Sequence, residues 1–396
     1  MDFGYYGNKG IKTPNIDKLA IQGICFQYAF NTSPQSSPSR TSMMTGCFAH
    51  TIGAEDLFAP LDDKTLMIPS YLKSAGYASG SILKRHWGAN GDKQFTTLLK
   101  GGYKPLEAGL ESSVYENYNH FLDENINKPF FLWVGFVDPH RPYNNANTPQ
   151  VNEISKVSIP PYLLNDKDTR NDLLDYYNEI SRMDKDIGIM IAELEKRKLL
   201  DNTIIVFLSD NGLPFPRAKA SLYDSGIQTP QIMYGKSIAN LLFDNTLRGR
   251  DYIYSERNWH DSDDYIRRVR TEKYKYIYNA YYNLPHGTSL DLTTSPSWYS
   301  LKKMQRKGKL SIKQSQIFNY PRPMIEIYDI VNDPFELNNI ADTKKGVEAT
   351  RLLPGLIKEW QKQTHDHPYW EQKKPDAVDR ISGAPYFMIS DEYYND

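Results

Sequence analysis

Three short apolar runs, each bounded by turn residues and followed at once by polar or charged side chains, constrain this chain more than any other feature. Residues 77–83, 130–137 and 203–208 read as buried parallel strands. Helical periods lie between them. Thr13-Pro14 supplies an N-cap and a first helical position ahead of Ile16, Leu19 and Ala20, and Gly23 closes that helix. A longer helix is predicted over 172–197, where Leu173, Tyr177, Ile180, Met183, Ile187, Met190 and Leu194 recur at helical spacing. The alternation predicts an α/β fold, a mostly parallel central sheet sandwiched by helices.

Beyond residue 245 the pattern changes to tyrosine-rich strands at 251–255 and 268–279, more strand character at 326–330, and a closing helix at 347–363. These strands read as antiparallel, so residues 1–245 and 246–396 are expected to be a larger α/β domain and a smaller α+β domain. The length of 396 residues agrees, since single cores stop growing near about 250–300 residues. With 47 basic and 48 acidic side chains there is no global field to draw the chain onto nucleic acid. Cys25 and Cys47 are its two cysteines, which excludes a disulfide framework and a multi-cysteine zinc site. No run approaches the ~18 apolar residues of a membrane span, and the sequence does not open on a basic segment with an apolar stretch behind it. The basic stretch 302–309 reads as solvated surface. Tyr234-Gly235-Lys236-Ser237 resembles the end of a phosphate loop, but Pro230 occupies the place of its first glycine.

Ligands of open α/β sheets bind at the carboxyl ends of strands. Run 77–83 ends in Lys84-Arg85-His86, run 130–137 in Asp138-Pro139-His140-Arg141, and run 203–208 in Ser209-Asp210-Asn211-Gly212. Any one of these could be an ordinary loop. Three together collect anion donors, proton-transfer groups and oxygen ligands for a hard cation. The segment Ser36-Ser37-Pro38-Ser39-Arg40 adds a hydroxyl at a helix start, where unpaired N–H groups and Arg40 favour an anion; an ordinary serine-rich cap is the alternative.

Ser36-Ser37-Pro38-Ser39-Arg40, followed by Met44-Thr45-Gly46, resembles the sulfatase signature: Cys or Ser, any residue, Pro, Ser, Arg, then Thr-Gly after a short helix. Tyr6-Gly7-Asn8 and Lys12 to Ala20 resemble the segment leading into it, and Asn332-Asp333-Pro334-Phe335-Glu336 a C-terminal element of the same family, so the likeness covers nearly the whole chain. Within the family, Ser209 to Pro216 with Leu222-Tyr223, and Thr364-His365-Asp366 with Pro368-Tyr369-Trp370, are similar to the heparan N-sulfatases. The resemblance implies an alkaline-phosphatase-like fold and hydrolysis of a sulfated sugar. It implies that Ser36 is oxidised to formylglycine by a serine-type maturing enzyme, its hydrate attacking sulfur and later expelling sulfate, which a plain serine ester cannot do easily. Arg40 would orient that residue and the metal ligands, Lys84 and Lys219 hold sulfate oxygens, His86 assist release of sulfate, and His140 protonate the leaving group. Ser36, Asp210 and Asn211 would ligate calcium. Arg217 is the alternative to Lys219, and Asp138 and His260 are the candidate sugar contacts.

The family normally opens with a strand ending in Asp-Asp, both metal ligands, and only Met1 to Tyr5 precede Tyr6-Gly7-Asn8 here. A strand and helix of the family are also missing around residues 231–236. Weak calcium binding and weak activity are therefore expected of these 396 residues, with export to the periplasm or medium expected of a longer parent. An O-sulfatase and a non-catalytic sulfated-glycan-binding protein are the competing readings.

Overall fold

The computed structural model describes residues 3–57, 59–99, 112–143, 148–229, 249–369, 371–380 and 384–385. They fall into two compact units, one of residues 1–26, 60–159 and 165–207, the other of 27–59, 160–164 and 208–396. Tyr234-Gly235-Lys236-Ser237, the gap around 231–236 and Trp370 lie outside the described residues.

In the first unit, β1 (Ala78–Leu83) pairs in parallel with β2 (Thr97–Leu98) on one side and β3 (Phe130–Gly135) on the other. Both faces are covered, which is why the strands read as apolar runs. Phe130, Leu132 and Val134 of β3 and Ile82 of β1 face the helices Ser112–Glu124 and Lys167–Lys196 through Val114, Phe121, Leu122 and Met190. The intervening Phe131 and Trp133 turn the other way, onto Phe95 and Trp87. A Cβ on Gly80 would stand 2.8 Å from Phe121 and 2.9 Å from Leu132. Gly80→Val is therefore expected to lose about 2 kcal/mol, because overpacking outweighs the better strand propensity. A urea midpoint equal to or above wild type would contradict it.

Helix α1 (Pro14–Gln22) has Thr13, Pro14 and Gly23 where the sequence places them. The long helix starts earlier than its apolar spacing suggests, because Asp166 caps it by accepting from Thr169 N at 2.9 Å. One strand expectation fails. Residues 203–208 form no strand; Ile204 is 90% and Val206 58% exposed, and no ladder partner lies among the described residues. Apolar composition without a neighbouring strand to pair with leaves the run unpaired.

In the second unit, β4 (Tyr252–Arg257), β5 (Ile266–Thr271), β6 (Tyr274–Asn279) and β7 (Ile325–Asp329) form an antiparallel sheet in that order. The single strand expected over 268–279 is a hairpin folded at Glu272-Lys273, and the expected closing helix is two, Lys344–Thr350 and Leu353–Thr364. Val269, Tyr276 and Ile327 face those helices through Ala349, Leu353 and Ile357. Ile266, Ile277 and Tyr328 pack on the opposite face against Leu222, Tyr223 and Ile227. No helix among the described residues is long and apolar enough to cross a membrane.

Candidate functional site

Helix α2 (Ser36–Thr45) carries the signature. Ser36 is its first residue and not its cap; Gln35 holds the cap position, and Gly46 closes the helix in a left-handed conformation. The segment leading into Ser36 is held on both sides. Ala29 accepts from Thr229 N and Asn31 donates to the Ile227 carbonyl, while Thr32 accepts from Glu256 N at 2.7 Å and Pro34 from Ala220 N at 3.1 Å. Gln35 Nε2 donates to the Trp259 carbonyl at 2.7 Å. Ser36 is 5% exposed, so the residue is shielded from bulk water.

Arg40 lies one helical turn after Ser36, on the same face. Its Nε donates to Asp210 Oδ2 at 2.6 Å, a charge-assisted bond that ties the helix to the Asp210 loop. Ser209 Oγ donates to the Asn211 carbonyl at 2.7 Å, and Asn211 Nδ2 to the Gly212 carbonyl at 2.8 Å, which orients the Asn211 amide. Gly212 is needed there: a Cβ would stand 1.9 Å from the Ser225 carbonyl oxygen. Calcium takes about six to eight oxygen ligands. Ser36, Asp210 and Asn211 offer one carboxylate, already bonded to Arg40, and no group of three or more His, Cys, Asp or Glu side chains suited to a metal occurs among the described residues. The described residues do not by themselves fit the ion.

Lys219 Nζ donates to Asp291 Oδ2 at 2.5 Å and is buried. Arg217 has a different role. It donates to the backbone carbonyls of Phe335, at 2.9 Å, and Glu336, and stacks 3.9 Å over the Tyr223 ring. His260 Nδ1 bonds Asp261 Oδ2 at 2.9 Å, and Asp261 also accepts from Leu290 N. Burial opposes ionisation of Asp261, but His260 beside it holds the carboxyl below its usual range.

In the first unit, Lys84 extends the ladder of β1: its N–H donates to Gly135 and its carbonyl accepts from Trp133 Nε1 at 3.1 Å. His86 adopts a left-handed backbone, φ 68°. His140 Nδ1 lies 2.6 Å from the Arg141 carbonyl, which can only accept, so Nδ1 carries the proton and Nε2 is the basic nitrogen. Asp138 receives Arg182 at both oxygens, at 2.7 and 2.8 Å, and Arg141 reaches Asp172 at 2.7 and 2.8 Å. These buried pairs fix the loop around His140. Asp172, Arg182 and Asp291 escaped the sequence reading, because apolar spacing says nothing about charges on the buried side of a helix.

Five of the eight non-glycine residues with positive φ among those described are at or beside candidate residues: Leu83, His86, Arg217, Ala220 and Asp261. Such backbone persists where surrounding structure enforces it, and it concentrates at functional sites.

A family model described as Sulfatase matches residues 1–240. The chain belongs to the sulfatase family. As a sulfatase it is a hydrolase, and the alkaline-phosphatase-like fold expected from the signature is the one observed. It is 28% identical over 415 residues to an ulvan-active sulfatase of Formosa agariphila, covering 85% of this chain and 68% of that protein. It is 25% identical over 443 residues to human N-sulphoglucosamine sulphohydrolase, covering 92% and 88%. A protein solved in complex with its substrate D-glucosamine-2-N,6-O-disulfate superposes with a TM-score of 0.68 at 20% identity, covering 94% of this sulfatase and 97% of that chain.

Proposed function

We propose that this sulfatase removes the N-linked sulfo group of N-sulfoglucosamine in heparan or heparin fragments. The observation that carries the reading is the Ser36–Arg40–Asp210 arrangement, a buried hydroxyl on a helix whose next turn is bonded to the Asp210 loop. The similarity to human N-sulphoglucosamine sulphohydrolase, over 92% of the chain, supports the sugar.

Formylglycine made from Ser36 by a serine-type maturing enzyme would supply a hydrated aldehyde as nucleophile. The first turn of α2 suits that group because Arg40, one turn on, adds a cation. Arg40 orients it. Lys84 and Lys219 bind sulfo oxygens, and for Lys219 this means exchanging Asp291 for the substrate. His140, its Nδ1–H donating to the Arg141 carbonyl, takes up a proton at Nε2 and delivers it to the leaving nitrogen as the N–S bond breaks. His86 is the second proton-transfer group, and Asp138 and His260 are assigned to the sugar side, Asp138 through the loop it braces. Asp210 and Asn211 are the described residues on the metal side, and no step is assigned to calcium. An exported enzyme that meets sulfated polysaccharide outside the cytoplasm suits this chemistry.

A second reading, 6-O-desulfation, is favoured by the 6-O-sulfo group on the sugar of the solved complex. Sulfate release from glucosamine-2-N-sulfate and from glucosamine-6-O-sulfate separates the two. The N-sulfated sugar is expected to react at least about a hundredfold faster in kcat/KM. Release from the 6-O-sulfated sugar alone would replace the proposal by the second reading. No release from either, with an unmodified Ser36, would favour a binding protein.

A further inference from the structure

Strand β4 ends in Arg257, whose guanidinium is fully buried. Its Nη2 donates to the Gly287 carbonyl at 3.1 Å and to Ser262 Oγ at 3.3 Å, whereas Nε and Nη1 have no acceptor. Asp264 is 3.9 Å from Nη1, beyond hydrogen-bond reach, and Arg322 bonds both of its oxygens, at 3.0 and 2.5 Å. Burial, only partly offset by Asp264, pulls Arg257 down to about 10, so it remains charged at neutral pH. A buried cation with two unbonded N–H groups is destabilising unless an anion reaches it.

Arg257 lines a cleft whose wall also carries Arg217, Lys219, Ser221, His286 and Thr288. Arg217 Nε is another buried N–H without an acceptor. His286 is held well below its usual range by burial and then by Arg322, so it adds no charge. Three cations therefore line the cleft, with Asp291 bonded to Lys219, and Asp264, Asp261 and Glu336 as the further acidic groups near Arg257 and Arg217.

We infer that this cleft is a second anion site, in which Arg257, flanked by Arg217, receives a sulfo group. A sulfo group has three oxygens to accept hydrogen bonds and no proton to place, which matches a wall of donors. The sulfo group has two sources, a pendant one on the saccharide or free sulfate left by the reaction. Only this choice of source rests on the proposed function; anion binding at Arg257 does not.

The test uses the full chain, titrated calorimetrically with sodium sulfate at constant ionic strength in chloride, as wild type, Arg257→Gln and Thr288→Asp. Thr288→Asp keeps the buried guanidinium and places a negative charge on the cleft wall, so it decides the matter if Arg257→Gln does not fold. KM for glucosamine-2-N,6-O-disulfate and for glucosamine-2-N-sulfate is measured alongside. Both variants are expected to weaken sulfate binding by at least about tenfold. A KM that rises in the variants for the disulfate alone identifies the pendant group as the source; unchanged KM values with weaker sulfate binding identify free sulfate. Sulfate affinity within about twofold of wild type in the folded variants, with an unchanged ratio of the two KM values, overturns the site. If the wild type turns over neither sugar, the proposed function fails, and the sulfate titration still decides the second anion site.

Discussion

Ser36→Ala is expected to leave a folded protein whose sulfate release falls by at least about 10³-fold. The separation of fold from activity follows from where Ser36 sits. It is the first residue of α2, while the cap position belongs to Gln35 and the entering segment is fixed by backbone bonds from Thr229, Glu256 and Ala220. None of those bonds uses the Ser36 side chain. Alanine is a good helix former, so losing the hydroxyl costs about 1 kcal/mol, the worth of one hydrogen bond. Arg40 keeps Asp210 in the variant, which preserves the charge layout of the site. What disappears is the atom that maturation oxidises. Initial rates of sulfate release, with thermal unfolding and peptide mass run in parallel, check the prediction: the wild-type peptide of the matured protein should be lighter by about two mass units than its sequence requires, and the alanine peptide unshifted. A variant that is well folded and retains more than about a tenth of wild-type activity would remove Ser36 from the chemistry.

Much of this architecture is legible in the sequence because it rests on local rules. Thr13-Pro14 and Gly23 mark α1 by backbone chemistry alone, and β1 and β3 show as apolar runs since both of their faces are covered. Residues 203–208 carry the same signal and form no strand, because a strand is a property of a pair and the sequence of one segment does not supply its partner. The site divides in the same way. The signature at Ser36 and the oxygen donors at Asp210 are contiguous motifs and could be named from residue order. Asp291 on Lys219, Arg182 on Asp138 and the donors of Arg257 join residues 44 to 72 positions apart, or depend on which acceptors are absent, and no spacing rule reaches them.

Asp224→Asn is expected to destabilise the second unit by about 3–5 kcal/mol, a large share of a typical total of about 5–15 kcal/mol. Asp224 Oδ1 accepts from Lys275 Nζ at 2.6 Å and from Arg268 at 3.0 Å, and Oδ2 from Arg270 at 3.3 Å. Lys275 and Arg268 are almost wholly buried on the sheet face that packs against Leu222 and Ile227. Burial opposes ionisation of Asp224, but Lys275, Arg268 and Arg270 outweigh it and hold the carboxyl at about 2. Glu336 also bonds Lys275, and burial pushes its carboxyl up while Lys275 opposes the rise. Asparagine keeps the shape and an acceptor but leaves two buried cations short of a counter-charge. The folded value lies below the ordinary one near 3.8, so the associated stability is fully present above about pH 4 and is lost as pH falls towards 2. By linkage this part amounts to roughly 2 kcal/mol. Urea midpoints between pH 2 and 6 should therefore fall with acid in the wild type and run flatter in Asp224→Asn. A variant within about 1 kcal/mol of wild type at pH 6, with the same acid slope, would show that the arginines and Lys275 find their counter-charge elsewhere.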